Sequence, residues 1–489
     1  MKKEHSKKTS IKRSEAKFLS AKNEHLPIKK GPVMSSFRDP SGFVFSSNEL
    51  IFRQINYSYQ DNYDLLINSG LYDKLTSLGY LIPHQEVKSA KTSSEAYKTI
   101  QPQKIPFISF PYEWCFSMLK AAALLTLEIQ KIALEFGMSL KDASTFNIQF
   151  LEGRPIFIDT LSFEKYKEGK PWVAYKQFVE HFLAPLSLMS YTDIRLNRLS
   201  ALFIDGIPVD LASHLLPFRT RFKPSLLLHI YAHSTSQKRF SQKKLTDSQL
   251  QHSFSNRALL GLLDSLEGVI KGLKWNSKKT QWSDYYEEDK NNYNSQSLIQ
   301  KAGLVRKFTK SINPKNVWDI GANSGLFSRI AAESGALVIS FDIDYGALEK
   351  NYSETIKKGE KNILPLFCDL TNPTPSLGWA NEERLSLIQR GPTNLLLALA
   401  LIHHLAISQN VPLSYIASLF SQIGHFLIIE FIPKDDSQIK RLLANREDIF
   451  PKYNKENFEK TFENFFQIKA SLPIDKSRRI LYLMEKRKR

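Results

Sequence analysis

The chain has 489 residues, a hydrophobic fraction of 42%, an aromatic fraction of 12% and a formal net charge of +18. That length exceeds one ordinary core and predicts roughly three folding units, while the composition excludes a collagen-like or wholly disordered chain. Two cysteines, Cys115 and Cys368, exclude a disulfide framework or a thiolate metal cluster and predict a reducing, cytoplasmic setting.

Residues 1–35 read as a basic, disordered tail. It lacks the apolar stretch of a secretory signal, and no apolar run is long enough for a transmembrane helix. Residues 36–235 read as an α+β domain. Phe43–Ile55 has two apolar runs around Ser-Ser-Asn-Glu and predicts a hairpin. Tyr63–Gly79 has helical spacing, interrupted at Gly70. Trp114–Phe136 predicts a long amphipathic helix closed by Gly137. Asn147–Asp159 reads strand, turn, strand, and helical material continues to about His233. Residues 236–295 are rich in Ser, Lys, Gln and Asn and read as a polar linker containing one helix, Ala258–Leu273. Residues 296–489 read as an α/β domain.

The most informative stretch is Val317–Tyr352. An apolar run is followed by Asp319, Gly321, Asn323 and Gly325 in the pattern D-x-G-x-N-x-G. A helix, Leu326–Ser334, follows, then a second apolar run, Ala336–Phe341, ending in Asp342 and Asp344. Glycines at such a turn let the backbone approach a ligand without an intervening Cβ. An acid at the tip of the next strand can accept hydrogen bonds from ribose hydroxyls. The spacing differs from the G-x-G-x-x-G that cradles a dinucleotide pyrophosphate. A third strand, Ile363–Cys368, leads to Asp369. A fourth, Asn394–Leu401, leads to His403 and His404, and Phe426–Phe431 reads as a fifth. Phe466–Leu472 and Arg479–Met484 predict a closing antiparallel pair.

This segment resembles motifs I and II of class I S-adenosylmethionine-dependent methyltransferases. It is also similar to a bacterial branch of that superfamily described as nodulation-protein-like. The resemblance covers roughly residues 296–489 and implies a Rossmann-like, seven-stranded fold with S-adenosyl-L-methionine as cofactor. It implies that Asp319 serves the cofactor's amino-acid end and that Gly321, Asn323 and Gly325 form the loop beneath methionine and ribose. Asp342 would take the ribose hydroxyls, ahead of Asp344, and Asp369 the adenine amine. No metal site is expected in this half. The loop after strand four lacks the Asn/Asp-Pro-Pro-aromatic signature of many base and amide N-methyltransferases, and it lacks the cysteine of cytosine C5 enzymes. His404 and His403 stand there instead. An imidazole at that position can act as general base on a hydroxyl or an acidic carbon, which favours O- or C-methylation. The competing role for the pair is packing or capping behind the cofactor.

A second constellation lies in the first half. Asp142 and Asn147 form D-x-x-x-x-N, and Asp159 follows twelve residues later at the end of an apolar run. This order is similar to the core of protein-kinase-like phosphotransferases: base, metal-binding Asn, metal-binding Asp. The resemblance implies a hinge at Phe110–Glu113, Arg53 in place of the phosphate-binding lysine, and Mg-ATP as ligand. The glycine-rich loop is missing, Leu-Lys rather than His-Arg precedes Asp142, and Thr-Leu follows Asp159. The residue types equally suit local caps. The methyl acceptor (saccharide, small metabolite or RNA) and the oligomeric state are not legible. Two further readings stay open: an ATP-binding pseudokinase scaffold and an RNA-binding methyltransferase, the latter resting on charge alone.

Overall fold

The computed structural model describes residues 33, 36–48, 50–87, 93–232, 255–275, 295–444 and 447–488. The expected basic tail, apart from Val33, and most of the expected linker lie outside the described residues.

The first half begins with an antiparallel hairpin, β1 (Gly42–Ser47) and β2 (Leu50–Asn56). Phe45 and Phe52 stack across one face of it, with centroids 5.5 Å apart, and Ile55 buries on the other face with Tyr59, Ile100 and Leu161. Two short helices follow, Gln60–Asn68 and Leu71–Ser77. Gly70, at φ +84°, separates them, so the interrupted pattern is two helices rather than one. Strands β3 (His84–Glu86) and β4 (Ala96–Pro102) complete a four-stranded sheet in the order β1-β2-β4-β3.

A 3₁₀ turn, Pro111–Glu113, leads into the long helix Phe116–Glu135, nearly all of whose apolar side chains are buried. Beyond it lie β5 (Met138–Leu140), the hairpin β6 (Ile148–Leu151) and β7 (Arg154–Phe157), and β8 (Phe163–Lys165), which pairs with β5. Glu152 and Gly153, both at positive φ, make the hairpin turn. Short helices continue to Ala232.

The helix expected inside the linker spans Asn256–Gly272 and buries Leu259, Leu263, Leu266 and Ile270 on one stripe. It packs on Phe116–Glu135. Lys131 bridges to Asp264 and Glu267, and Lys120 donates to the carbonyls of Lys271 and Leu273. By packing it belongs with the first half; the polar sequence on either side disguised that.

The second half opens with the helix Ser295–Ile312. Its seven strands are β9 (Asn316–Ile320), β10 (Leu337–Asp342), β11 (Ile363–Phe367), β12 (Thr393–Ala398), β13 (Gly424–Phe431), β14 (Phe466–Pro473) and β15 (Ile480–Lys486). They order as β11-β10-β9-β12-β13-β15-β14, with β15 antiparallel to both neighbours and the rest parallel. Counted from β9 this is 3-2-1-4-5-7-6, the class I methyltransferase arrangement. Order reverses between β9 and β12, where an open α/β sheet places its ligand crevice.

The halves share one core. A contiguous buried cluster includes Trp114, Phe150 and Phe157 of the first half and Trp318, Phe341 and Leu396 of the sheet. Phe107 meets Trp318 and Phe341 edge-on, with centroids 5.9 and 6.2 Å away. Polar clamps surround these rings. Glu113 takes the guanidinium of Arg390 at 2.5 and 2.9 Å and the hydroxyl of Thr374 at 2.8 Å. Arg38 grips the buried Glu383, Ser117 donates to Glu349, and Arg384 lies over Phe146. The expected hinge at Phe110–Glu113 is therefore pinned to the second half.

Candidate cofactor and methyl-transfer site

The glycine loop after β9 sits against the end of β10. The N–H groups of Gly321 and Ala322 both donate to the Phe341 carbonyl. Gly321 (φ +77°), Asn323 (φ +51°) and Gly325 (φ +84°) all lie in the left-handed region, which explains two glycines and an asparagine at this spacing. A Cβ on Gly325 would meet the Asn351 side chain at 2.4 Å, so Gly325 is fixed by packing as well as by conformation. Arg329 braces the loop from behind, donating to the Ser324 carbonyl and to Asn351.

Asp342 ends β10. It accepts hydrogen bonds from the Asn323 N–H at 2.7 Å and the Asp344 N–H at 2.8 Å. Burial pushes its carboxyl up to about 6 against those bonds. Asp344 instead caps the next helix by accepting from the Ala347 N–H. Between the two acids, Ile343 leaves 56% of its surface in solvent. An exposed aliphatic side chain beside a ribose-competent carboxylate suits the face of an adenine ring.

Asp319 is almost wholly buried and takes the Ser328 hydroxyl at 2.6 Å; that hydroxyl in turn accepts from Ser340. Desolvation pushes the Asp319 carboxyl up to about 7, reinforced by Asp342. The bond to Ser328 ties β9 to the helix after the loop. Asp369 lies just past β11, beside Cys368, whose N–H donates to the Asp342 carbonyl. Its carboxylate accepts the N–H and hydroxyl of Thr371, at 2.9 and 2.6 Å.

The loop after β12 lies alongside, because β12 neighbours β9. The Leu401 side chain is 3.4 Å from where a Gly321 Cβ would stand. Ala400 adopts φ +50°, and its N–H is held by Glu430 at 2.8 Å. His403 is buried, with its Nδ1 unpartnered, and its ring lies 4.1 Å from that of His404. Burial holds both imidazoles below their usual range, His403 most strongly. His404 is the more accessible of the two.

Glu430 belongs to a buried network that the sequence did not reveal. It takes the Lys301 ammonium at 2.7 Å and faces Arg479 at 3.6 Å, while Arg479 bonds Asp436 at 2.8 Å. A glutamate inside the apolar run of β13 was the visible signal, since a buried carboxylate needs a partner. Lys301, 129 residues earlier, gave none.

In the first half, Arg53 donates to Asp159 at 2.7 Å and to Asp39 at 3.2 Å. Asp159 also accepts from the Leu161 N–H and the Ser162 hydroxyl, and Asn147 donates to that same hydroxyl. Asp142 accepts from the Ser144 N–H, and burial raises its pKa. Arg53, Asp142, Asn147 and Asp159 thus converge; Asp159 is bonded to Arg53, the Leu161 N–H and Ser162, while Arg53 Nε is buried without a hydrogen-bond partner. Among the described residues no His, Cys, Asp and Glu group is arranged to hold a metal ion, and no helix is long and apolar enough to cross a membrane.

Nodulation protein NoeA of Rhizobium meliloti (strain 1021) is 35% identical over 464 residues, covering 93% of the chain and 96% of that protein. The chain belongs to the NoeA family. No protein-family model matches it. Similar solved structures include the N-methyltransferase NodS from Bradyrhizobium japonicum WM9 in complex with S-adenosyl-L-homocysteine. That similarity has 10% identity and a TM-score of 0.32, over 42% of the chain and 95% of NodS. The bifunctional kinase-methyltransferase WbdD matches at 16% identity and a TM-score of 0.27, over 38% of the chain and 39% of WbdD. The fold assignment of the second half rests on its strand order, which bears out the class I methyltransferase resemblance carried by Val317–Tyr352.

Proposed function

We propose that the chain is an S-adenosyl-L-methionine-dependent methyltransferase acting on a hydroxyl or an acidic carbon. The observation that carries this is the pairing of Asp342 with the left-handed Gly321–Gly325 loop at the point where strand order reverses. When bound, the cofactor supplies an electrophilic methyl on a sulfonium. Asp342 would hold its ribose hydroxyls, Ile343 would cover one face of its adenine, and Asp369 would take its amine. The Gly321–Gly325 loop would receive its methionine end, with Asp319 holding the helix after that loop through Ser328.

The chain's task in the transfer is alignment, exclusion of water and acceptance of a proton. His404 Nε2 or Nδ1 takes the acceptor's proton, and buried His403 supports it by ring contact. Its depressed pKa keeps His404 neutral and ready to accept at physiological pH. Titration calorimetry with S-adenosyl-L-homocysteine tests the cofactor site, with Asp342→Ala expected to weaken binding at least tenfold. Unchanged affinity in that variant would sink the assignment. Because the 35%-identical relative is named for nodulation, saccharides and small metabolites of that process come first in an acceptor screen, with RNA as the alternative class.

A second reading concerns the first half and rests on the Arg53–Asp159 pair. A kinase-like unit would present these groups with Asp142 and Asn147 around nucleotide phosphates. In the described geometry both Asp159 oxygens are engaged, so binding Mg-ATP requires Arg53 or Ser162 to release it. Thermal stabilisation by Mg-ATP that disappears in Asp159→Ala supports a nucleotide-binding role; no shift leaves this half a structural and acceptor-binding unit.

A further inference from the structure

Short helical turns run through Phe218–Phe222 and Pro224–Ala232 at the far end of the first half's helical region. Their inner side is packed, with Leu216, Thr220, Leu226, His229 and Ile230 buried. Their outer side is apolar too. Phe218 is 67% exposed and Phe222 76%, and their rings touch edge-on at 5.5 Å. Leu227 and Leu228 are about half exposed, and Leu215 over a third. Monomeric proteins seldom leave such a contiguous group uncovered without a use for it.

Cations are interleaved with these side chains. Arg219, Arg221 and Lys223 are exposed. Arg221 lies over the rings of Phe218 and Tyr231, and Lys223 over Tyr191. None of the three is in an ion pair among the described residues. The sequence contains no Asp or Glu between Asp210 and Asp247, so the segment carries no acidic side chain of its own, and nearby Asp193 is paired with Arg195.

We propose that Phe218–Leu228 is a membrane-docking surface that lays the first half on an anionic bilayer. Aromatic and leucine side chains enter the headgroup–acyl boundary while Arg219, Arg221 and Lys223 meet lipid phosphates. A second copy of the chain fits worse, because a symmetric contact would set the same three cations against their equivalents. Nucleic acid fits worse, because Leu215, Leu227 and Leu228 offer nothing to phosphates.

The test is co-sedimentation of the full chain with phosphatidylcholine vesicles and with phosphatidylcholine–phosphatidylglycerol vesicles. Binding is expected to the anionic vesicles. Phe218→Ser with Phe222→Ser should weaken it at least tenfold, and the matching Leu pair should retain it. Arg219→Gln and Arg221→Gln should each weaken it roughly fivefold. Failure to bind overturns the proposal; so does binding indifferent to the serine pair, which would trace it to the basic charge elsewhere in the chain. A change of oligomeric state in the serine pair points to a second copy, and a fall in its unfolding midpoint shows that the rings pack on the chain itself; both overturn it as well.

Discussion

The two halves each gather carboxylates, and Asp342 and Asp319 of the second are held in the opposite way to Asp159 of the first. In the second half, Asp342 is buried and held only by backbone N–H groups, while Asp319 has a hydroxyl and no direct cation. Both carboxyls are consequently pushed up, to about 6 and about 7. In the first half, Asp159 is neutralised by Arg53 and bonded to Ser162. The first arrangement stores an unfavourable desolvation that a hydroxyl-rich, cationic ligand relieves. Asp159 is already satisfied, whereas Asp142 beside it, like Asp342, is held by a backbone N–H and pushed up by burial. A site awaiting a ligand and a site closed on itself can thus be told apart by where the acids find their partners.

The largest expected effect breaks the boundary between the halves. Glu113→Ala strands the Arg390 guanidinium in the core, and such a deletion costs about 3–5 kcal/mol. Chemical denaturation should show that loss within a single transition. Two separated transitions in the wild type would refute the shared core. Next comes Asp342→Ala, which removes charge-assisted bonds worth about 1.5–3 kcal/mol each and should weaken S-adenosyl-L-homocysteine binding by tenfold to a hundredfold or more in calorimetry.

The raised carboxyls sharpen the contrast through pH. Asp319 and Asp342 hold protons in the folded state that the unfolded chain releases near the ordinary aspartate value of about 3.9. Unfolded chains therefore bind fewer protons between about pH 4 and 7, and these two groups make the ligand-free protein less stable as pH rises through that window, with no further loss above it. Ligand binding to the ionised acids reverses the trend. The thermal shift given by S-adenosylmethionine should be larger at pH 8 than at pH 6, and equal shifts would argue against both acids. Smaller still is Arg53→Ala. It leaves Asp159 with only Ser162 and the Leu161 N–H, which should cost about 1–3 kcal/mol while leaving S-adenosyl-L-homocysteine affinity unchanged. His404→Ala should leave stability and cofactor affinity near wild type and remove turnover; retained turnover assigns the pair to packing.

Much of this was legible in the sequence where the determinants are local. The Asp319–Gly325 turn, the acid at Asp342 and the β6–β7 hairpin are each specified by residues within one turn or one strand. Strand order followed because the segments of an α/β sheet connect by rule. What escaped were pairs with no local signature. Glu113 and Arg390 lie 277 positions apart, and Lys301 and Glu430 lie 129 apart. The stripe of Leu259, Leu263, Leu266 and Ile270 announced a helix but not the surface that receives it. Asp319 was expected to face the cofactor; the Ser328 hydroxyl that claims one of its oxygens sits on the next helix, at a spacing that any serine could have filled.

Phe107 touches Trp318 on β9 and Phe341 on β10, the strands that carry the glycine loop and Asp342. The first half is therefore a wall of the cofactor sheet rather than an appendage joined to it. Chimeras that join one relative's first half to another's second half inherit two mismatched surfaces beneath the site. Any exchange of halves between members of the family would have to carry Phe107, Glu113, Trp318, Phe341 and Arg390 across together, so the two halves are bound to diversify as one heritable unit.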